Sequence, residues 1–276
     1  MNNVHFSTET SEDGVPAPAP SFSSGRAPGS RGVALKVFFG SLFIQSSFNY
    51  QGMQNIGFAF SILPLARWMG GKGDRIAALL TRHLQLFNTH PYLSGPIIGS
   101  VLHMEEICAV SGNERDGAAA ADLKNALMGP YAALGDSFFW GALKPLAAVF
   151  SVALALQQTL LAPLAFLFLY NPPHIWIRSR GFVEGYRRGK EGIDFIRTLD
   201  MPQLTGRMRW ISLAGLGCLA ALAGRLLPSP SVSHIDIIVK LLYLLLVILC
   251  YWGIKRGISQ VKMLYCMFII GCLIAL

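Results

Sequence analysis

From Leu146 to Tyr170 the chain reads LAAVFSVALALQQTLLAPLAFLFLY, a stretch without a formal charge. At about 1.5 Å per helical residue it is long enough to cross a bilayer core of roughly 30 Å once. Gln157 and Gln158 divide it into two shorter apolar halves, so a tight hairpin that turns back fits the text as well as a single crossing. Just upstream, MGPYAALGDSFFWG at Met128 to Gly141 sets a lone carboxylate, Asp136, between glycines and aromatics. An unpaired carboxylate entering a core or a bilayer is expensive, and such residues usually mark a site or a pathway.

The whole composition agrees with lipid as the solvent. Of 276 residues, 53% are hydrophobic and 14% charged, and the mean hydropathy is +0.46; soluble domains carry roughly 25% charged residues. The net charge of +8 does not indicate nucleic acid, because the basic residues sit in loops beside apolar segments and no aromatic stacking surface is interleaved with them. Positive-inside bias accounts for them. Cys108, Cys218, Cys250, Cys266 and Cys272 show no CxxC spacing, lie mostly within apolar runs, and read as small buried hydrophobes.

Residues 1–31 are rich in Ser, Pro, Gly and Ala, lack the apolar run of a signal peptide, and read as a disordered cytoplasmic tail. Gly32 to Ala66 is apolar but broken by Gln45, Asn49, Gln51, Gln54 and Asn55, which suits an amphipathic or protein-buried helix pair. Asp74 is placed to cap a helix in which Ile76, Leu79, Leu80, His83 and Phe87 share one face. His83 then reads as a core histidine satisfied by a neighbour. FNTHPY ends that helix, and a short apolar run leads from Pro96 to Met104 and on to Glu105 and Glu106. After the polar loop SGNERDG, a short helix from Ala118 to Met128 is expected to end at Gly129 and Pro130.

Beyond Tyr170 the text turns basic, with Arg178, Arg180, Arg187, Arg188, Lys190, Arg197, Arg207 and Arg209 in excess over the acids. Trp210 to Ala223, Ile235 to Ile254 and Met263 to Leu276 follow as apolar segments. The expected fold is an all-α integral membrane protein of broken, re-entrant helical hairpins with transmembrane helices at the C-terminus. Its expected divisions are the tail, a helical membrane domain at 32–170, a basic cytoplasmic segment at 171–209 and hydrophobic helices at 210–276.

No soluble-enzyme signature is present: there is no Walker loop, GxGxxG, HExxH or GxSxG. The histidines have no ligand spacing for a metal, so no metal, cofactor or catalytic residue is expected. Glu105 and Glu106 are adjacent, so on a helix they point about 100° apart and at most one faces any site. Lys144 is eight residues from Asp136 and too far along the helix to pair directly, which leaves a partner elsewhere, including another chain. What remains is a set of uncharged donors and acceptors with a few carboxylates, a mixture that suits a polyhydroxylated solute and equally suits interhelical hydrogen bonding.

Three longer stretches carry a resemblance. FNYQGMQNIGFAFSILP at Phe48 to Pro64, RHLQLFNTHPYLSGPIIGSVLHMEE at Arg82 to Glu106 and LKNALMGPYAALGDSFFWGALKPLAA at Leu123 to Ala148 are similar, in order and spacing, to the IID membrane subunit of the mannose/fructose/sorbose phosphotransferase system. The resemblance covers roughly Gly32 to Arg197. It implies a hetero-oligomer in the bacterial cytoplasmic (inner) membrane, in which a IIC membrane subunit shares a sugar channel with this chain. Cytoplasmic IIA and IIB would carry the phosphoryl group, and IIB would phosphorylate a hexose or amino sugar as it arrives. The chain would hold no phosphoryl group and would not be an enzyme by itself.

On this reading Asn49, Gln54, Asn55, Asn88, His90 and Asp136 line or support a polar cavity at the IIC interface, and His174 to Arg209 faces IIB. The chain departs from the family pattern at Gln51 and Gly52, where a charged pair is usual, and after Arg197, where the Gly-rich stretch before the last hydrophobic segment is not recognisable. A regulatory or scaffolding membrane subunit that keeps the fold without transport is the alternative.

Overall fold

In the computed structural model, residues 30–69, 73–157, 160–226, 234–259 and 265–266 are described. The expected tail at 1–31 lies almost wholly outside them, as does most of Met263 to Leu276. The described residues up to Leu219 form one compact unit and those from Ala220 a second.

The first unit is helical, with no strand among the described residues. Helices α1 (Ser30–Ser41) and α2 (Asn55–Trp68) pack on each other as the expected pair. Helix α3 (Gly73–His83) begins one residue before Asp74, so Asp74 lies in its first turn rather than capping it. That position still sets a negative charge against the positive end of the helix dipole. Helix α4 (Ser94–Ser111) is the centre of the unit: Ile97, Ile98, Val101 and Leu102 are fully buried. A helix apolar all round must be surrounded, and α4 is contacted by α1, α2, α5 and α7. It ends in the left-handed conformation at Gly112, whose N–H donates to the Cys108 carbonyl.

Helix α5 (Glu114–Gly135) starts where the Asn113 side chain accepts a hydrogen bond from the Arg115 N–H, with Glu114 and Asp116 in the first turn. It does not stop at Gly129 and Pro130, contrary to the sequence expectation. Proline in a helix interior loses one hydrogen bond and costs about 3 kcal/mol or more, but the burial of Tyr131 and Gly135 in the following turns holds the helix together. The chain continues through a π-helical segment, Asp136–Leu143, into α6 (Lys144–Ala155). Glu114–Ala155 is thus one continuous 42-residue helix, the one among the described residues that is long and apolar enough to span a bilayer.

At Leu156 and Gln157 the chain turns, and α7 (Leu161–Arg188) packs back on α6. Leu146 to Tyr170 is thus divided between α6 and α7. Helix α7 runs through Pro172 and Pro173, so the boundary expected at residue 170 falls inside a helix. Its closest partner is α4, and glycine is what permits the approach. A Cβ at Gly95 or Gly99 would collide with the carbonyl of Arg178 or Phe182, and one at Gly181 or Gly185 would collide with Pro96. Each helix thus offers a pair of glycines four residues apart to the other, the small-residue packing of membrane helices. The register, 95 with 178 and 99 with 182, shows α4 and α7 running in the same direction there.

Helix α8 (Asp194–Thr198) and the first part of α9 (Met201–Leu226) complete the unit. The second unit holds the end of α9 and α10 (His234–Lys255), where the Arg256 guanidinium lies 4.3 Å from the Trp252 ring centroid. Of the cysteines, Cys108 is buried, but Cys218 and Cys266 are exposed. Burial therefore does not hold for them all, because apolar helices of a membrane protein also turn small residues outward.

Candidate functional site

The π-helical segment builds the site. A π turn inserts an extra residue into the hydrogen-bond ladder and re-aims its side chains, and such turns are frequent at functional sites. Asp136 opens it, exposed, its carboxylate without a hydrogen bond or ion pair among the described residues. Phe138 and Phe139 are buried, while Trp140 is half exposed. From α9, Arg209 donates to Ser137 Oγ at 3.1 Å and to the Gly141 carbonyl at 3.3 Å, satisfying a carbonyl within the irregular turn.

His90 packs against the residue before Asp136: a Cβ on Gly135 would collide with the His90 side chain. The imidazole is 99% buried, stacked on Phe139 with centroids 5.0 Å apart and edge-on to Trp140 at 4.7 Å. Its Nδ1 accepts from the Tyr92 N–H at 3.3 Å, capping the 3-10 turn Pro91–Leu93. Its Nε2 is buried and has no hydrogen-bond partner among the described residues. Tyr92 in turn stacks on His174 of α7 at 4.0 Å, and its hydroxyl accepts from the Tyr170 hydroxyl at 3.4 Å. A largely buried aromatic stack with an unpartnered ring nitrogen therefore packs against Gly135, the residue before Asp136. Aromatic faces and carboxylates are what a sugar's C–H face and hydroxyls can use.

The other expected site residues lie elsewhere. Asn49 accepts from the N–H groups of Gln51 and Gly52 at 3.1 and 2.7 Å and donates to Asn55 Oδ1 at 2.9 Å. It thereby holds a loop in which Met53 has φ of +56°. Asn55 donates to the Leu84 carbonyl. Gln54 is buried and forms a two-bond pair with the Thr89 backbone, donating to its carbonyl at 2.8 Å and accepting from its N–H at 3.0 Å. These amides tie the loop before α2 to the segment after α3, which carries His90 at its end. Asn88 is exposed in that segment and makes no side-chain hydrogen bond among the described residues. The structure thus brings His90 next to the Asp136 turn, and places Asn49, Gln54 and Asn55 in the support beneath.

A second polar cluster was not foreseen as a unit. Glu105 receives Arg82 at 2.9 Å on both oxygens and His83 Nε2 at 2.8 Å, and Arg82 also reaches Glu114 at 2.8 Å. His83 and Glu105 are essentially fully buried. Burial lowers the His83 pKa from its ordinary value, with the Glu105 hydrogen bond working in the opposite sense. Lys124, fully buried, sets its Nζ 5.4 Å above the Phe58 ring. Glu106 points the other way and accepts from the Tyr186 hydroxyl at 3.1 Å, so the adjacent acids diverge as expected. In this cluster His83 Nδ1 and Lys124 Nζ are buried without a hydrogen-bond partner among the described residues, and a cavity of about 250 Å³ is lined by Arg82, Glu105 and Glu114.

With this geometry in view, a family profile described as the mannose/fructose/sorbose family IID component of the phosphotransferase system matches residues 30–276. The chain belongs to this family. The mannose-specific EIID component of Escherichia coli (strain K12) is 30% identical over 256 residues, covering 85% of this chain and 89% of that protein. The fructose permease IID component of Bacillus subtilis (strain 168) is 30% identical over 254 residues, covering 86% and 92%. A cryo-electron-microscopy structure of the mannose transporter ManYZ with microcin E492 includes a chain 28% identical, with a TM-score of 0.55 and coverage of 88% of this chain and 95% of that one. This IID component is accordingly a membrane protein of a sugar phosphotransferase permease, and its helical fold is that of transporter subunits.

Proposed function

We propose that this IID component joins a IIC membrane subunit to form the path by which a hexose or amino sugar enters the cell, where IIB phosphorylates it with a group relayed through IIA. The observation that carries the reading is the unpaired, exposed Asp136 on a π turn, next to the buried His90 with its open Nε2. A charge without a partner among the described residues, on the helix long enough to span the bilayer, favours a partner or solute outside the chain. Half-exposed Trp140 and partly exposed Tyr92 offer aromatic faces to a pyranose, backed by the buried Phe139 and His90. Asp136 accepts from its hydroxyls, and exposed Asn88 supplies a further donor and acceptor. Asn49, Gln54 and Asn55 support this cavity by holding the loop that positions His90.

The chain itself is a non-catalytic subunit in this reading, and the basic stretch from His174 to Arg209 lies on the cytoplasmic side toward IIB, with the N-terminus on the same side. Sugar uptake and phosphorylation by the reconstituted complex test it. Asp136→Asn and Asn88→Ala are expected to lower both rates, and unchanged rates in both variants would overturn the proposed cavity.

A further inference from the structure

Between α1 and α7 lies an apolar groove of about 470 Å³, open along its length. Leu35 and Phe38 of α1 and Phe182 and Val183 of α7 form its walls, with Leu35 and Val183 58% and 40% exposed. The helices run antiparallel there: Arg178 donates to the Ser41 carbonyl at one end, and the rings of Phe38 and Phe182 meet at 5.3 Å. That register brings Arg31 and Arg187 together at the other end, and both line the groove.

The charges at this end are not neutralised by any ion pair among the described residues. Glu184 is engaged by Arg180 and Arg188 at 2.7 and 3.4 Å on another face of α7. Arg31 and Arg187 form no ion pair among the described residues. The groove also has a direction relative to lipid. Helix α7 carries no Asp, Glu, Lys or Arg from Leu161 to Ile177, and then Arg178, Arg180, Arg187 and Arg188. The α7 wall of the groove thus lies in the charged half of that helix, while α1 keeps an exposed apolar face at Leu35 and Phe39, so the end with Arg31 and Arg187 is the polar end of the groove.

We propose that this groove is a binding site for an anionic phospholipid, with one acyl chain between Leu35, Phe38, Phe182 and Val183 and its phosphate held by Arg31 and Arg187. An acyl chain fills an apolar slot that opens sideways to the bilayer. Paired guanidiniums at the interface match a phosphodiester, to which arginine bonds bidentately. A zwitterionic headgroup, whose ammonium faces the same arginines, is disfavoured.

Native mass spectrometry of the full chain extracted with its membrane partners tests this, using dioleoylphosphatidylglycerol and dioleoylphosphatidylcholine as competing probes. The wild-type chain retains phosphatidylglycerol preferentially. The double variant Arg31→Gln with Arg187→Gln lowers that preference about tenfold, while Lys36→Gln, outside the groove lining, leaves it unchanged. Ala34→Phe, which fills the slot, removes retention of both lipids. Equal retention of the two lipids by the wild type, or an unchanged preference in the double arginine variant, overturns the site. So does cross-linking of Leu35→Cys to a second membrane protein in place of lipid, which would make the groove a protein interface.

Discussion

His83 Nε2 lies 2.8 Å from Glu105 Oε1, and this one bond ties α3 to the central helix α4 in a buried setting. Because Arg82 holds both oxygens of the same carboxylate, Glu105 is the shared anion of two cationic or potentially cationic groups. Removing it leaves the buried imidazole without that partner and the guanidinium with Glu114 alone. Glu105→Ala is expected to cost about 3 to 5 kcal/mol, read as a fall in thermal stability of the detergent-extracted protein. A shift no larger than that of an exposed carboxylate variant such as Glu191→Ala would contradict the role of Glu105 as shared anion.

The same histidine makes stability depend on pH. Burial depresses its pKa in the folded state, so the unfolded chain takes up the proton first as pH falls. This contribution is fully present above the ordinary histidine value of about 6.5 and is lost as pH drops below it toward the folded value. The expected outcome is a decline of the unfolding midpoint below that pH, less steep in His83→Gln. Equal slopes in the two proteins would assign the decline to other groups.

The glycine register of α4 and α7 predicts a contrast between positions of the same residue type. Gly99→Ala forces a methyl into the Phe182 carbonyl and is expected to destabilise by about 1 to 3 kcal/mol. Gly206→Ala, inside α9, meets nothing within 4 Å, and is expected to stabilise by about 1 kcal/mol. Thermal unfolding of the two variants side by side checks the sign of each.

Several of these features are legible in the sequence and others are not, for physical reasons. The apolar face of α3, the core position of His83 and the divergence of Glu105 from Glu106 follow from helical periodicity alone. The turn at Gln157 is visible as an interruption of the apolar run. Helix α5 is misjudged at Gly129 and Pro130 because local breakers are outweighed by tertiary burial of Tyr131 and Gly135. Asn49, Gln54 and Asn55 look like solute ligands, since an amide's type does not reveal whether its partner is a sugar or the Thr89 backbone. The pairing of Gly95 and Gly99 with Gly181 and Gly185 was available as two four-residue spacings, but only folding shows that they face one another. The π turn at Asp136 has no local signature comparable to a cap or a proline.

That π turn supplies the last test, because Asp136 and Arg209 act on it in different ways. Arg209 bonds Ser137 and the Gly141 carbonyl, so Arg209→Gln is expected to cost about 0.5 to 1.5 kcal/mol. In a double-mutant cycle its effect overlaps with that of Ser137→Ala, since each removes the same side-chain bond. Asp136, whose carboxylate has no partner among the described residues, is expected to leave stability nearly unchanged as Asp136→Asn while lowering sugar uptake by about tenfold or more. Thermal unfolding and uptake measured on the same reconstituted complexes separate the two roles. If Asp136→Asn instead destabilises the chain as much as Arg209→Gln while uptake per folded complex is preserved, the carboxylate supports the turn and not the sugar path.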